Sequence, residues 1–200
     1  MTELRRKRFL ERGINMRRDT LIKLTGTALL LAVGYLLPLL TGQIPEIGNL
    51  LLPMHIPVLL CGALFGGIWG GALGFVLPLT RSLIFSKPLI FPTAIAMAFE
   101  LMSYGLVIGI CFSVMKPRRF AAYYLPLLSA MLVGRAVWGA VMAVLLGVFG
   151  DGFGFSLFIG GAFLEAIPGI ILQLILVPTL ISVLIKSGAY VPCWHKKSLK

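Results

Sequence analysis

Long apolar runs alternate along the chain with short polar or Pro/Gly-rich interruptions. Residues 1–20 are polar and basic, read as an amphipathic or loose segment. The run from Leu21 to Thr41 predicts a first helix over about 21–42. Residues 43–53, punctuated by Pro45, Gly48 and Pro53, read as a loop. A short second helix follows from Met54-His55 to about Gly66, and a third over about 68–84 after a glycine-rich turn. Residues 85–92 hold Lys87, Pro88 and Pro92 and read as a second loop. A fourth helix is expected over about 92–115, a basic loop at 116–121 and a fifth helix over about 122–148. Gly150-Asp151-Gly152 marks another loop, and a sixth helix runs over about 156–186.

Composition fixes what these runs are for. The chain has 200 residues, of which 58% are hydrophobic and 12% charged. Soluble domains average ~45–50% and ~25%. A soluble enzyme and a disordered chain are thereby excluded. So is a transmembrane β-barrel, whose strands alternate and read far more polar. At ~20 apolar residues per span, the length allows about six helices. The fold class expected is an all-α membrane protein, six transmembrane helices in a compact bundle.

Charge then sets an orientation. There are 18 Lys plus Arg against 7 Asp plus Glu, a net +11. Fifteen of the 18 fall in three places: eight from Arg5 to Lys23, three from Lys116 to Arg119, and four from Lys186 to Lys200. With alternating helices all fifteen lie on one side, as the positive-inside rule expects. This favours a topology and anionic-lipid signal over nucleic-acid binding. Both termini are then cytoplasmic, with the protein in the plasma membrane. The expected division is a basic cytoplasmic segment 1–20, a membrane domain 21–186 and a basic cytoplasmic tail 187–200. The first apolar run exceeds the 7–15-residue core of a signal peptide and no small-residue cleavage site follows it, so it reads as a retained helix.

In this topology the loops at 43–53, 85–92 and 149–155 share the outer face. Irregular backbone at membrane depth must be buried in protein or line a wet cavity. Three such loops together suggest a lidded pocket open to the outside. No internal repeat is evident, which weighs against a self-sufficient rocking transporter.

Ionisable groups inside a membrane cost about 2.5–3.5 kcal/mol on insertion scales, and so are candidates for function. Three are expected here: Glu100 in helix 4, Arg135 in helix 5 and Glu165 in helix 6. Their helix positions put them in one layer between the outer half and the midplane. Arg135 paired with one glutamate is one reading; a ligand pocket containing at least one of them is the other. One arginine cannot neutralise both carboxylates. Met97, Glu100 and Tyr104 share one helical face. So do Arg135, Trp138 and Met142, and Gly161, Glu165, Gly169 and Gln173. Aromatic rings beside a few polar groups suit a small-molecule site, although the same residues also serve as core. His55 stands at the outer start of helix 2. Arg81 and Lys87 are outer-side basic residues that break the positive-inside trend, and are candidates for holding an anionic group.

Glycines at 66, 70 and 74, at 67 and 71, and at 105 and 109 allow close helix approach, as does the Ala28-x-x-x-Ala32 face of helix 1. Cys61, Cys111 and Cys193 have no metal-site or disulfide spacing. There is no P-loop, no H-E-x-x-H and no G-x-S-x-G. No cofactor, metal site or catalytic residue is therefore expected.

These features together resemble a known family. The carriers are six compact spans and Ala28-x-x-x-Ala32; Leu52-Pro53-Met54-His55-Ile56-Pro57-Val58-Leu59-Leu60 entering helix 2; Glu100-Leu101-Met102-Ser103-Tyr104-Gly105; and Gly134-Arg135. Over about residues 21–186 the chain resembles an S component, the substrate-capture subunit of an energy-coupling-factor (ECF) vitamin transporter. The resemblance implies high-affinity capture of a water-soluble vitamin or precursor at the outer face, beneath the loops joining helices 1–2, 3–4 and 5–6. It implies a transmembrane T component and two ABC ATPases as partners, with the S component toppling to deliver its cargo. The helix 1 small-residue face, here Ala28 and Ala32, would meet the T component. Pantothenate-like, pyridoxine-like and thiamine-precursor-like substrates are all compatible. Arg81, Lys87 and His55 lean toward an anionic group, and Glu100 and Glu165 toward an amine. The substrate-binding residues expected are His55, Arg81, Glu100, Tyr104, Arg135, Trp138 and Glu165. The rival classes are a standalone channel or secondary transporter and, further off, an intramembrane enzyme using the glutamates and His55.

Overall fold

The structure is a computed structural model. It describes residues 2–40, 53–117, 119–149, 167–188 and 192. Among these residues the chain is entirely helix, turn and short connection, with no strand. Six α-helices follow in order: α1 (Thr2–Leu40), α2 (His55–Phe65), α3 (Gly67–Phe85), α4 (Ile95–Met115), α5 (Tyr124–Phe149) and α6 (Ile167–Lys186). A π-helical turn at Ile90–Ala94 leads into α4, and a 3-10 turn at Phe120–Tyr123 leads into α5.

Five of these helices contain stretches long and apolar enough to cross a membrane: 16–39, 67–85, 90–115, 120–147 and 167–186. The remaining one, α2, has 11 residues. At ~1.5 Å per residue it is about 16 Å long, roughly half of a ~30 Å hydrocarbon core. Six helices were expected and six are present among the described residues, but α2 on its own does not span. A second difference lies at the N-terminus. The basic segment was read as separate from the first helix, whereas α1 runs unbroken from Thr2. Arg, Lys, Glu and Leu, which dominate residues 3–12, are all good helix formers.

The short helix α2 is the hub. Every residue from His55 to Leu64 is buried, and α2 packs against α1, α3, α4 and α6. A helix apolar on all sides belongs in the interior. Gly66 alone separates α2 from α3. Its φ of 103° lies where only glycine rests without strain, so the chain reverses in one residue.

Glycines bring α2, α3 and α4 to backbone contact. A Cβ on Gly105 would overlap the Gly70 carbonyl, one on Gly109 would overlap the backbone of Gly67, and one on Gly74 would overlap Leu101. The spacing of four noted in the sequence thus forms the α3–α4 seam. In α1, one face is tied inward. Tyr35 Oη lies 2.6 Å from Thr80 Oγ1, and Thr27 Oγ1 lies 3.5 Å from Cys61 Sγ. The other face, with Leu21, Ala28, Leu29, Ala32 and Leu36, is exposed.

Candidate functional site

Glu100 is the centre of a buried polar cluster. It lies in the second turn of α4 and is 1% exposed. Its Oε1 forms an ion pair with Arg135 Nη1 at 3.0 Å and receives a hydrogen bond from Tyr104 Oη at 3.2 Å. Tyr104 follows Glu100 by one helical turn, so this bond is set by α4 itself. Arg135 comes across from α5. The residue before it, Gly134, makes room, because a Cβ there would collide with the Tyr104 ring.

His55 enters from the first position of α2. Its Nε2 lies 3.6 Å from Glu100 Oε1, and its ring meets the Tyr104 ring edge-on, with centroids 5.2 Å apart. Both imidazole nitrogens are buried without a hydrogen-bond partner. Three residues from three helices therefore converge on one carboxylate oxygen. Exposed hydrophobic residues such as Phe99 and Leu132 point outward from the same helices, so the charges are turned into the bundle, as membrane charges must be.

Arg81, near the end of α3, is also buried. Its Nη1 lies 3.8 Å from Met54 Sδ, and Met54 is the chain neighbour of His55. The segment after α3 is held in place locally: Ser86 caps the helix with a left-handed φ of 57°, and Ser82 Oγ donates to the Pro88 carbonyl at 2.5 Å. Lys87 is exposed.

The structure thus brings together His55, Glu100, Tyr104 and Arg135, with Arg81 joined to them through Met54-His55. Trp138 lies one turn beyond Arg135 on α5 and is half-buried. Glu165 lies outside the described residues, as do the loop at 43–52 and that at 150–155. Of the two readings for Arg135, the ion pair with a glutamate is present, and its partner is Glu100. From the sequence, His55 joins the glutamates only in the enzyme reading, and Met54 is not joined to Arg81. Gln173 shares the Glu165 face of the last helix and was not among the expected site residues. Gln173 is 1% exposed and its Nε2 has no hydrogen-bond partner. A lone amide in an otherwise apolar helix was the signal. Among the described residues no three of His, Cys, Asp and Glu come together as metal ligands.

The family model for the ECF transporter substrate-specific component matches residues 22–181. The chain belongs to this family. The match runs from the apolar part of α1 into α6 and includes all of the cluster around Glu100. Neither a curated protein nor a solved structure matches the chain. The chain is therefore an S component, a multi-pass membrane protein and the substrate-specific subunit of an ECF transporter. The family implies a small-molecule substrate, a T component and ATPases as its associates.

Proposed function

We propose that this S component captures a water-soluble vitamin or vitamin precursor at the outer face of the plasma membrane, for ATP-driven uptake by a T component and two ATPases. The observation that carries the reading is the family match over residues 22–181. Both termini lie in the cytoplasm in this account, with the basic segment 1–20 and the tail 187–200 flanking the membrane domain 21–186. The buried cluster of His55, Glu100, Tyr104 and Arg135 supports it, since a few convergent polar groups in an apolar bundle suit a small-molecule site. In this reading Arg81, Trp138 and Glu165 complete the substrate-binding set.

The exposed face of α1 is the docking face for the T component. Ala28 and Ala32 are both exposed and lie one turn apart. Small residues there allow a partner helix to approach closely. Ala28→Leu and Ala32→Leu are expected to bind substrate normally and to lose copurification with the T component. Uptake into cells expressing the whole complex should fall by roughly tenfold or more, from ~1–3 kcal/mol of overpacking at the contact. Normal assembly of both variants would remove α1 as the docking face. Uptake that persists without the ATPases would favour the standalone-transporter reading.

A further inference from the structure

Two guanidiniums and one carboxylate are buried in the described core, and only one guanidinium has a counter-ion. Arg135 pairs with Glu100. Arg81 is 7% exposed, its Nη1 has only the Met54 thioether at 3.8 Å, and its Nε has no hydrogen-bond partner. A thioether is a weak acceptor and brings no charge. A buried cation without a counter-charge costs several kcal/mol. Lipid phosphate does not relieve that cost. An arginine that reaches the headgroups stretches along the protein surface, whereas Arg81 is covered by protein.

No counter-charge for Arg81 stands among the described residues. Among the described residues, the buried side-chain atoms without a partner are mostly donors: Arg81 Nε, Arg135 Nε and Nη2, and Gln173 Nε2, beside the two ring nitrogens of His55. Glu100, the one acceptor of matching charge among the described buried residues, is already engaged by Arg135 and a tyrosine hydroxyl. Among the described residues an amine would find no free carboxylate. An acceptor group carrying one negative charge would find both a cation and spare donors.

We infer that Arg81 is the docking point for a carboxylate on the substrate, and that this S component is selective for acids. The inference rests on the substrate-capture reading above. One unit of uncompensated positive charge matches a carboxylate, which carries one negative charge; a phosphate monoester would overshoot it. Arg81 Nη1 reaches the side chain of Met54, the residue before His55, so in this inference the rest of the substrate extends from Arg81 toward the Glu100 cluster. Among the substrate types compatible with the family resemblance, the pantothenate-like acid fits. Pyridoxine and the thiamine precursor carry no carboxylate.

The test uses the full-length protein in detergent, wild type and Arg81→Gln, with titration calorimetry and thermal unfolding. The probes are two matched pairs, pantothenate with pantothenol and nicotinate with nicotinamide, together with biotin, pyridoxine and thiamine. The wild type is expected to bind an acid. A matched pair that binds should favour its acid member by on the order of 100-fold. Arg81→Gln should lose acid affinity by a similar factor, yet unfold without ligand at the same temperature or higher, because an unpaired buried charge has been removed. Binding of a non-acid, with Arg81→Gln unaffected, would overturn the inference and leave substrate capture standing. A lowered unfolding temperature with unchanged acid affinity would make Arg81 structural and also overturn it. If the wild type binds no probe and releases no small molecule on denaturation, the capture reading itself fails.

Discussion

Replacing Glu100 by leucine is expected to destabilise the protein by about 3–5 kcal/mol, because Arg135 is then left as a buried cation with no counter-charge. Tyr104 and His55 lose the same oxygen, so the cluster loses its common acceptor at once. The double variant Glu100→Leu/Arg135→Met removes both charges and fills their space with apolar groups. It is expected to recover most of that loss, since apolar replacements of buried ion pairs are often neutral or better. Thermal unfolding of the two single variants and the double variant measures the coupling. Additive losses would mean that the 3.0 Å pair carries little of the stability. Substrate affinity should stay low in the double variant even where the fold returns, which separates binding from stability.

Gly105→Ala is expected to be the most damaging small substitution. The new methyl group would overlap the Gly70 carbonyl, which belongs to the backbone of α3 and cannot rotate away. The helices must separate, and the Glu100 cluster at the α4–α5 contact shifts with α4. Overpacking typically costs ~1–3 kcal/mol, and a clash of backbone against side chain on two long helices belongs at or above the top of that range. Gly147→Ala in α5 is the control, since nothing lies within 4 Å of a methyl group there. It should be neutral or stabilise by up to about 1 kcal/mol through helix propensity. Equal yields and unfolding temperatures for the two variants would contradict the seam.

Much of this was legible in the sequence. The apolar runs located α2 to α5 to within a few residues at both ends, and α6 at its C-terminal end, because membrane helices carry a strong and continuous signal. The glycine spacing foretold the α3–α4 seam for a physical reason: only glycine permits carbonyl-to-Cα approach. Glu100, Arg135, Tyr104 and His55 were singled out because a polar group in an apolar run demands compensation. Who compensates whom was not legible. The Arg135–Glu100 pair crosses from α5 to α4, and His55 arrives from α2, so the match depends on helix rotation that no local pattern encodes. The weight of Glu100 also changed. As a lone carboxylate it leaned toward an amine ligand, but with its Oε1 occupied by Arg135 and Tyr104 that lean is lost. The unbroken start of α1 was misjudged because charge was read as a boundary, whereas Arg, Lys and Glu are themselves good helix formers.

The central claim is that this chain holds a small solute for its transporter. The direct measurement is to purify it in mild detergent from cells grown in rich medium, denature it, and identify what is released by mass spectrometry. The account predicts a water-soluble vitamin or precursor at close to one molecule per chain. Release of nothing, with no member of a vitamin panel raising the unfolding temperature, would contradict substrate capture and leave the cluster around Glu100 as a structural ion pair.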